Sequence, residues 1–275
     1  MPRTGGLSHL HVSRIHYAIE AERALPELEP AEPGAAEKQI GEYVSQLIRS
    51  GDTLQFGVGP IGNGLAAALA GHRNLGIHAE VIGDGVMRLF RGGVVDNSHK
   101  SLLPGKVVAA HAMGSTELYS FLHNNPHFDF RPTEFTNDPI TIARNENMVA
   151  VNGALLSDLT GQIVVDSVQG LFRSGVGSMV DFVRGAAMSR GGRPIIALPS
   201  TGTDEAGNPF SRIVTDLPMG AGVGCHRADI HYLVTEYGIA TLRGRTIQER
   251  AQELIQIAHP DFREDLLRKA RDHHL

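Results

Sequence analysis

The chain has 275 residues, 41% of them hydrophobic and 20% charged, enough for one large α/β domain or two small ones with a sizeable core. A formal net charge of −5 offers no broad cationic surface to nucleic acid, and the single cysteine, Cys225, excludes an intramolecular disulfide framework and a Cys-rich zinc site while suiting a reducing cytosol. No run reaches the ~20 apolar residues that a membrane helix needs, and the first 22 residues hold no apolar signal core, so a cytoplasmic protein is expected.

In chain order, HVSRIHYAIE (11–20) alternates as a strand does, with nothing before it to pair with. LPELEPAEPGAAEK (25–38) carries three prolines and several acids and reads as an extended, solvated linker. From about residue 38 the pattern is regular. EKQIGEYVSQLIRSG is helical with a glycine stop, TLQFGVG a short strand, NGLAAALAGH a helix, IHAEVIGDG a strand and GVMRLFRGG a short helix. KVVAAHAMG is a strand, TELYSFLHNN a helix and FDFRPTEF a short strand-like run. DPITIARN is a helix opened by Asp138 and Pro139, an acid and a φ-fixed residue that both suit a helix start. MVAVNGALL and QIVVDSV are strands flanking the turn SDLTG, and MVDFVRGAAMSRGG is a helix. RPIIALPS, SRIVTDL and HYLVTEY are strands, and 246–257 and 260–272 form a final helical pair divided at His259-Pro260. Strands alternating with helices of ~10 residues imply an α/β fold, an open parallel or mixed sheet covered by helices. Ligands bind such sheets beyond the C-terminal ends of the strands. That places GVGPIG, HAMGS, TEFTND and TEYG at the functional edge.

Gly57-Val-Gly59-Pro-Ile-Gly62 follows a strand and opens a helix, with Glu80 about 20 residues on, the outline of a dinucleotide fingerprint. Pro60 removes a donor from the middle of that cradle, so a plain strand-to-helix turn or another ligand is the favoured reading. Glu134, placed at a strand end just before a helix N-terminus, has the setting of a carboxylate nucleophile; from spacing alone a surface or capping acid fits better. His111-Ala112-Met113-Gly114-Ser115 can line a narrow channel, although His111 reads more simply as a satisfied polar residue than as a base. In Val234-Thr-Glu236-Tyr-Gly238, Gly238 can offer its N–H to an oxyanion, and Glu236 is a rival nucleophile or a cap for the following turn. Ser174-Gly-Val-Gly177-Ser178 gives backbone room before a helix or a mere entry turn. His226, Asp229 and His231 are not spaced to share a strand face, so no metal site is expected there.

The segments TEFTNDPITIARNENMVAVNGALLSDLTGQ (133–162), SGVGSMVDFVRGAAMSRGG (174–192), IIALPST (195–201), SRIVTDLPMGAGV (211–223), HYLVTEYGIATLRGRTIQERA (231–251) and IAHPDFRE (257–264) together resemble the acetyl-CoA hydrolase/transferase family. The likeness is greatest to its 4-hydroxybutyrate or butyrate-type CoA-transferase branch. That resemblance implies that Glu134 is the catalytic glutamate and that Gly238 is both a CoA contact and an oxyanion donor. It implies further CoA contacts at His111, Ala112, Met113, Gly114, Ser115, Ser211 and Val234. It implies ping-pong transfer of CoA between an acyl-CoA and a short-chain carboxylate through a glutamyl-CoA thioester. Coenzyme A is then a co-substrate; no tightly bound cofactor, metal, nucleic acid or membrane is called for. Residues 1–37 are expected to be an interdomain strand and linker remnant, and 38–275 the C-terminal catalytic domain. The family's N-terminal domain has no counterpart here, so a complementing N-terminal domain or a homo-oligomer is the expected partner. Gly177-Ser178-Met179 stands where the family usually shows Gly-Gly-Gln. The alternatives are an acyl-CoA hydrolase, an inactive CoA-binding fragment, or a nicotinamide-dependent enzyme using residues 57–62.

Overall fold

The computed structural model describes residues 1–168, 171–175 and 177–275. Among these residues the main sheet has nine strands: β1 (Gly5–Gly6), β2 (Thr53–Phe56), β3 (Gly76–Ile82), β4 (Val107–Ala112), β5 (Phe128–Phe130), β6 (Met148–Gly153), β7 (Arg193–Ala197), β8 (Tyr232–Thr235) and β9 (Gly238–Thr241). Their order is β1-β5-β4-β3-β2-β6-β7-β8-β9, and all neighbours are parallel except the β8–β9 hairpin. The chain runs outward from β2 to β5 and then restarts beyond β2 at β6. The switch point therefore lies between β2 and β6, where Leu54 pairs with Val149.

The strands are buried on both faces, as parallel strands must be when crossover helices cover both sides. Ile77 and Ala79, Val149 and Val151, and Ile195 and Ala197 share one core with α1 (Ala35–Gln46), α2 (Pro60–Ala68), α3 (Asp84–Arg91) and α4 (Thr116–Leu122). The alternate residues serve the other face. Met148 and Ala150 pack with Ile142 and Phe182. Ile196, Leu233 and Ala240 pack with the final helices. That second face carries α5 (Thr133–Thr136), α6 (Pro139–Ala143), α7 (Met179–Met188), α8 (Ile247–Gln256) and α9 (Pro260–Asp272). A capping box between Thr246 and Glu249 starts α8, and Pro260 starts α9, as the helical pair read from the sequence requires.

The expected strand over 11–20 is not formed. Those residues are exposed, with one 3₁₀ turn at Val12–Arg14. Gly5–Gly6 supplies the edge strand instead, because it lies so close to β5 that a Cβ on Gly6 would run into the Phe130 backbone. Residues 25–34 are extended, as expected, yet they are tied down across the strand tips. Leu28 N–H donates to the Gly114 carbonyl at 3.1 Å, Tyr119 Oη to the Pro26 carbonyl at 2.9 Å, and Asn63 Nδ2 to the Ala31 carbonyl at 2.8 Å. FDFRPTEF is strand only to Phe130, because Pro132 has no N–H to continue the ladder and the backbone turns into α5.

The opposite, N-terminal end of the sheet is locked by a buried ion pair. Arg193 Nη2 donates to Asp52 Oδ1 at 2.7 Å and Nη1 to the Leu47 carbonyl at 2.8 Å, while Arg49 N–H reaches Asp52 Oδ2 at 2.6 Å. Burial pushes the Asp52 carboxyl above its ordinary value, against the Arg49 amide and the Arg193 charge. No helix among the described residues is long and apolar enough to cross a membrane.

Candidate active site

Glu134 occupies the first turn of α5 rather than a strand end. Pro132 caps that turn in an extended conformation, Asn137 closes it, and Asp138 immediately caps α6 by accepting from Thr141 N–H at 2.8 Å and Thr141 Oγ1 at 2.6 Å. The Glu134 carboxylate is exposed, with Thr133 Oγ1 3.5 Å away, and no ion pair among the described residues engages it. Its flanks are fixed. Arg131 pairs with Asp129 at 2.9 Å and stacks on the Phe135 ring at 4.6 Å. Below, β3 turns His78 and Glu80 toward this turn while Ile77 and Ala79 enter the opposite core. His78 Nε2 lies 2.9 Å from the Thr136 carbonyl, and Glu80 Oε1 accepts from Asn137 Nδ2 at 3.2 Å. Glu80 Oε2 accepts from Ser178 Oγ at 2.5 Å.

That environment fixes the protonation of His78. Burial, and then the charge of Lys100, hold it down at about 4, so it is neutral and donates from Nε2 to Thr136. A lowered folded-state pKa means that the unfolded chain binds the extra proton between pH 6.5 and about 4, so stability falls as pH drops through that window. His231, held down by burial and by Arg243, adds to the same loss. His78→Gln is therefore expected to show a shallower decline of melting temperature from pH 6.5 to 4 than wild type; parallel curves would refute the assignment.

On the neighbouring strand, His111 and Met113 are exposed and Ala112 is half-buried. They line a groove of about 500 Å³ between β4 and the extended segment, with Leu25, Pro26 and Leu28 opposite. Gly114 and Ser115 have structural duties. Ser115 N–H donates to Asp84 Oδ2 at 3.1 Å, its hydroxyl donates to Asp84 Oδ1, and it caps α4 by accepting from Leu118 N–H at 3.2 Å. A Cβ on Gly114 would strike the Asp84 carboxylate. Asp84, buried at the head of α3, thus organises this strand tip, a residue that sequence reasoning missed because only the fold brings it to Ser115.

Ser211, Val234 and Gly238 form a second group. Val234 is wholly inside the core, and its strand leads to Glu236 and Gly238 at the edge. The Ser211 hydroxyl donates to the Ile213 carbonyl at 2.6 Å and lines a cleft of about 500 Å³ beside Phe210 and Phe262. Gly238 closes the hairpin at φ +147°, a value that favours glycine. Glu236 is not free to act as nucleophile, because it binds Ser200 N–H at 2.8 Å and Ser200 Oγ at 2.6 Å. Four strands lie between β4 and β8, roughly 24 Å along the sheet at ~4.8 Å per step. The two groups line one edge without meeting, a spacing suited to an elongated ligand.

The remaining candidates resolve into structure. Gly59, at φ +115°, and Gly62, whose Cβ would meet the Gly57 carbonyl, are demanded by the strand-to-helix turn. Residues 28–31 lie over that turn and leave a cavity of only about 80 Å³, too small for a dinucleotide. Glu80 is occupied by Asn137 and Ser178, not presented to a ribose. Of the glycine segment 174–178, Val176 lies outside the described residues. Arg243 Nη1 lies 2.6 Å from His231 Nε2, and Asp229 pairs with Arg184 at 3.3 Å. No metal-binding cluster occurs among the described residues. Burial pushes the Cys225 thiol up to about 12, so it is no nucleophile.

Residues 114–270 match the family described as the acetyl-CoA hydrolase/transferase C-terminal domain. The chain is 46% identical over 267 residues to a 4-hydroxybutyrate coenzyme A transferase of Clostridium kluyveri, covering 97% of this chain and 62% of that one. It superposes on RipA from Yersinia pestis with a TM-score of 0.92 at 38% identity, covering 100% of this chain and 61% of that one. It superposes on a 4-hydroxybutyrate CoA-transferase from Porphyromonas gingivalis with a TM-score of 0.86 at 41% identity, covering 99% and 64%. The chain thus spans about three-fifths of the length of the curated relatives it matches.

Proposed function

This chain belongs to the acetyl-CoA hydrolase/transferase family, and from that premise we propose that it carries the glutamate of a CoA-transferase acting on an acyl-CoA and a short-chain carboxylate. The carrying observation is Glu134, an exposed carboxylate on a turn whose two flanks are pinned, at the C-terminal edge of a parallel sheet.

In the proposed cycle the Glu134 carboxylate attacks the thioester carbonyl, forming an acyl-glutamyl anhydride as the C–S bond breaks and CoA leaves as thiolate. The thiolate attacks the glutamyl carbonyl, releasing the first carboxylate and leaving a glutamyl-CoA thioester. An incoming carboxylate reverses both steps and departs as its own CoA ester. The groove beside His111, Ala112 and Met113 is the proposed seat of CoA, with Gly114 and Ser115 as proposed contacts at the strand tip that Asp84 holds beside it. Ser211 and Gly238 are proposed contacts farther along the edge. An oxyanion role for Gly238 requires its N–H about 3 Å from the attacked carbonyl. We propose that role on the strength of the family resemblance; a complex with acyl-CoA that leaves the Gly238 N–H well beyond that distance would overturn it. The acid of that hairpin, Glu236, is already engaged by Ser200, which favours Glu134 as the nucleophile.

The test is to incubate the chain with acyl-CoA, reduce with borohydride and map the peptides by mass spectrometry. Reduction of a glutamyl thioester to the alcohol on Glu134 is the expected result. An unmodified Glu134 alongside measurable transfer sinks the assignment. Release of free acid without an added acceptor identifies hydrolysis instead.

A further inference from the structure

We infer that Glu80 is a positioning residue for the Glu134 turn, joining it to the N-terminus of α7 through Ser178; the inference rests on the reading of Glu134 given above. The observations are geometric. Glu80 sits in the body of β3, near the switch point of the sheet, and points to the face that carries α5 and α7. One carboxylate oxygen accepts from Asn137 Nδ2 at 3.2 Å, and the other accepts from Ser178 Oγ at 2.5 Å. Asn137 is the residue that closes α5, and Ser178 is the residue that opens α7. A single side chain therefore spans the end of the nucleophile-bearing turn and the start of the helix beside it.

The rest of the turn is held from the same strand. His78, two residues earlier on the same face, fixes the Thr136 carbonyl and lies between Phe135 and Phe182, each 6.3 Å away between ring centres. Residues 135, 136 and 137 are thereby gripped in succession, while 134 is left reaching into solvent. A four-residue helix has too few internal hydrogen bonds to hold its own shape, so its orientation must come from outside contacts. His78 holds the middle of the turn, whereas Glu80 bonds both its closing residue, Asn137, and Ser178 at the entry to α7, so the loss of Glu80 frees the turn to rotate relative to the loop at 177–178. Ser178 gives this chain a hydroxyl to close the link, at the position where the sequence departs from Gly-Gly-Gln. The functional demand on such a link is steep, because a displacement of about 1 Å in a reacting group can lower a rate roughly 10²-fold.

The experiment measures single-turnover labelling of Glu134 by acyl-CoA and borohydride in wild type, Glu80→Ala, Glu80→Gln and Ser178→Ala, with the acyl-CoA concentration dependence and the melting temperature of each. Glu80→Ala is expected to slow labelling by about 10- to 100-fold while the half-saturating acyl-CoA concentration changes by less than about 3-fold. Glu80→Gln, which keeps an acceptor for Asn137 and a group that can bond Ser178, is expected to recover to within about 3-fold of wild type. Ser178→Ala, which removes one end only and lies outside the sheet, is expected to fall between them. It serves as the decisive variant should Glu80→Ala fail to fold. Equal labelling of Glu80→Ala and wild type, or of Ser178→Ala and wild type where Glu80→Ala is unfolded, overturns the inference and leaves the Glu134 reading standing. Glu80→Gln as slow as Glu80→Ala overturns the hydrogen-bond account. Absence of label from wild-type Glu134 overturns both.

Discussion

Glu134→Gln is expected to lower transfer by more than about 10³-fold while CoA binding and thermal stability stay near wild type. The magnitude follows from the role. An amide cannot form the anhydride, so no covalent route remains, and what survives is the contribution of binding and orientation alone. The stability expectation follows from exposure: the Glu134 side chain is exposed and hydrogen-bonds, among the described residues, to Thr133 alone, and a surface substitution of this kind lies within about ±0.5 kcal/mol. The measurement is a transfer assay paired with calorimetric CoA titration, run on the chain alone and on the chain supplied with the portion of its longer relatives that it does not span. A Gln variant that turns over at the wild-type rate in either setting rules out Glu134 as nucleophile. Loss of CoA binding in step with activity would instead make Glu134 a binding residue.

The second large effect is on stability and lies at the other end of the sheet. Arg193→Ala is expected to destabilise the fold by about 3–5 kcal/mol, because Asp52 would remain buried without its counter-charge. The Arg193 side chain is 13% exposed and that of Asp52 3%, so water cannot readily replace the guanidinium. For a domain of this size the corresponding fall in melting temperature is on the order of 10 °C. The double variant Arg193→Met, Asp52→Leu removes both charges and fills the space, and should recover most of the loss. A double variant as unstable as Arg193→Ala would show that the Leu47 carbonyl bond or the packing, rather than the stranded carboxylate, sets the cost. Rates per folded molecule should not change, since the pair sits at the strand ends remote from Glu134.

The alternation of strands and helices was legible because parallel strands carry continuous apolar runs and the helices carry their own start signals. Asp138-Pro139 and His259-Pro260 marked helix starts correctly for local reasons, a side-chain cap and a fixed φ. Local signals failed where a distant partner decides. Ile15, Tyr17 and Ile19 alternate like a strand but have no edge to join, whereas Gly5–Gly6 has no strand signal and pairs because it can approach β5 closely. At the proposed site, the reading of Glu134 as a nucleophile rests on resemblance to a family, since its spacing suits a cap as well. The side chains beneath it were not legible at all. His78 and Asp84 carry no local signal, and Glu80 only the outline of a dinucleotide acid, until the topology sets them against residues 136, 115 and 137. Val234 shows the converse: a residue beside the edge loop at 236–238 can still point into the interior.

The extended segment laid across the strand tips is anchored chiefly by main-chain atoms: the Leu28 amide and the carbonyls of Pro26 and Ala31. Main-chain groups are the same whatever side chain is attached. The ribbon's path should therefore survive wide drift in its own residues, while substitutions in the partners that hold it, Tyr119 and Asn63, should release it. Its three prolines narrow the wandering of the detached form, so reattachment sacrifices little freedom. In a saturation library, intolerance would then concentrate in the dock rather than in the rope.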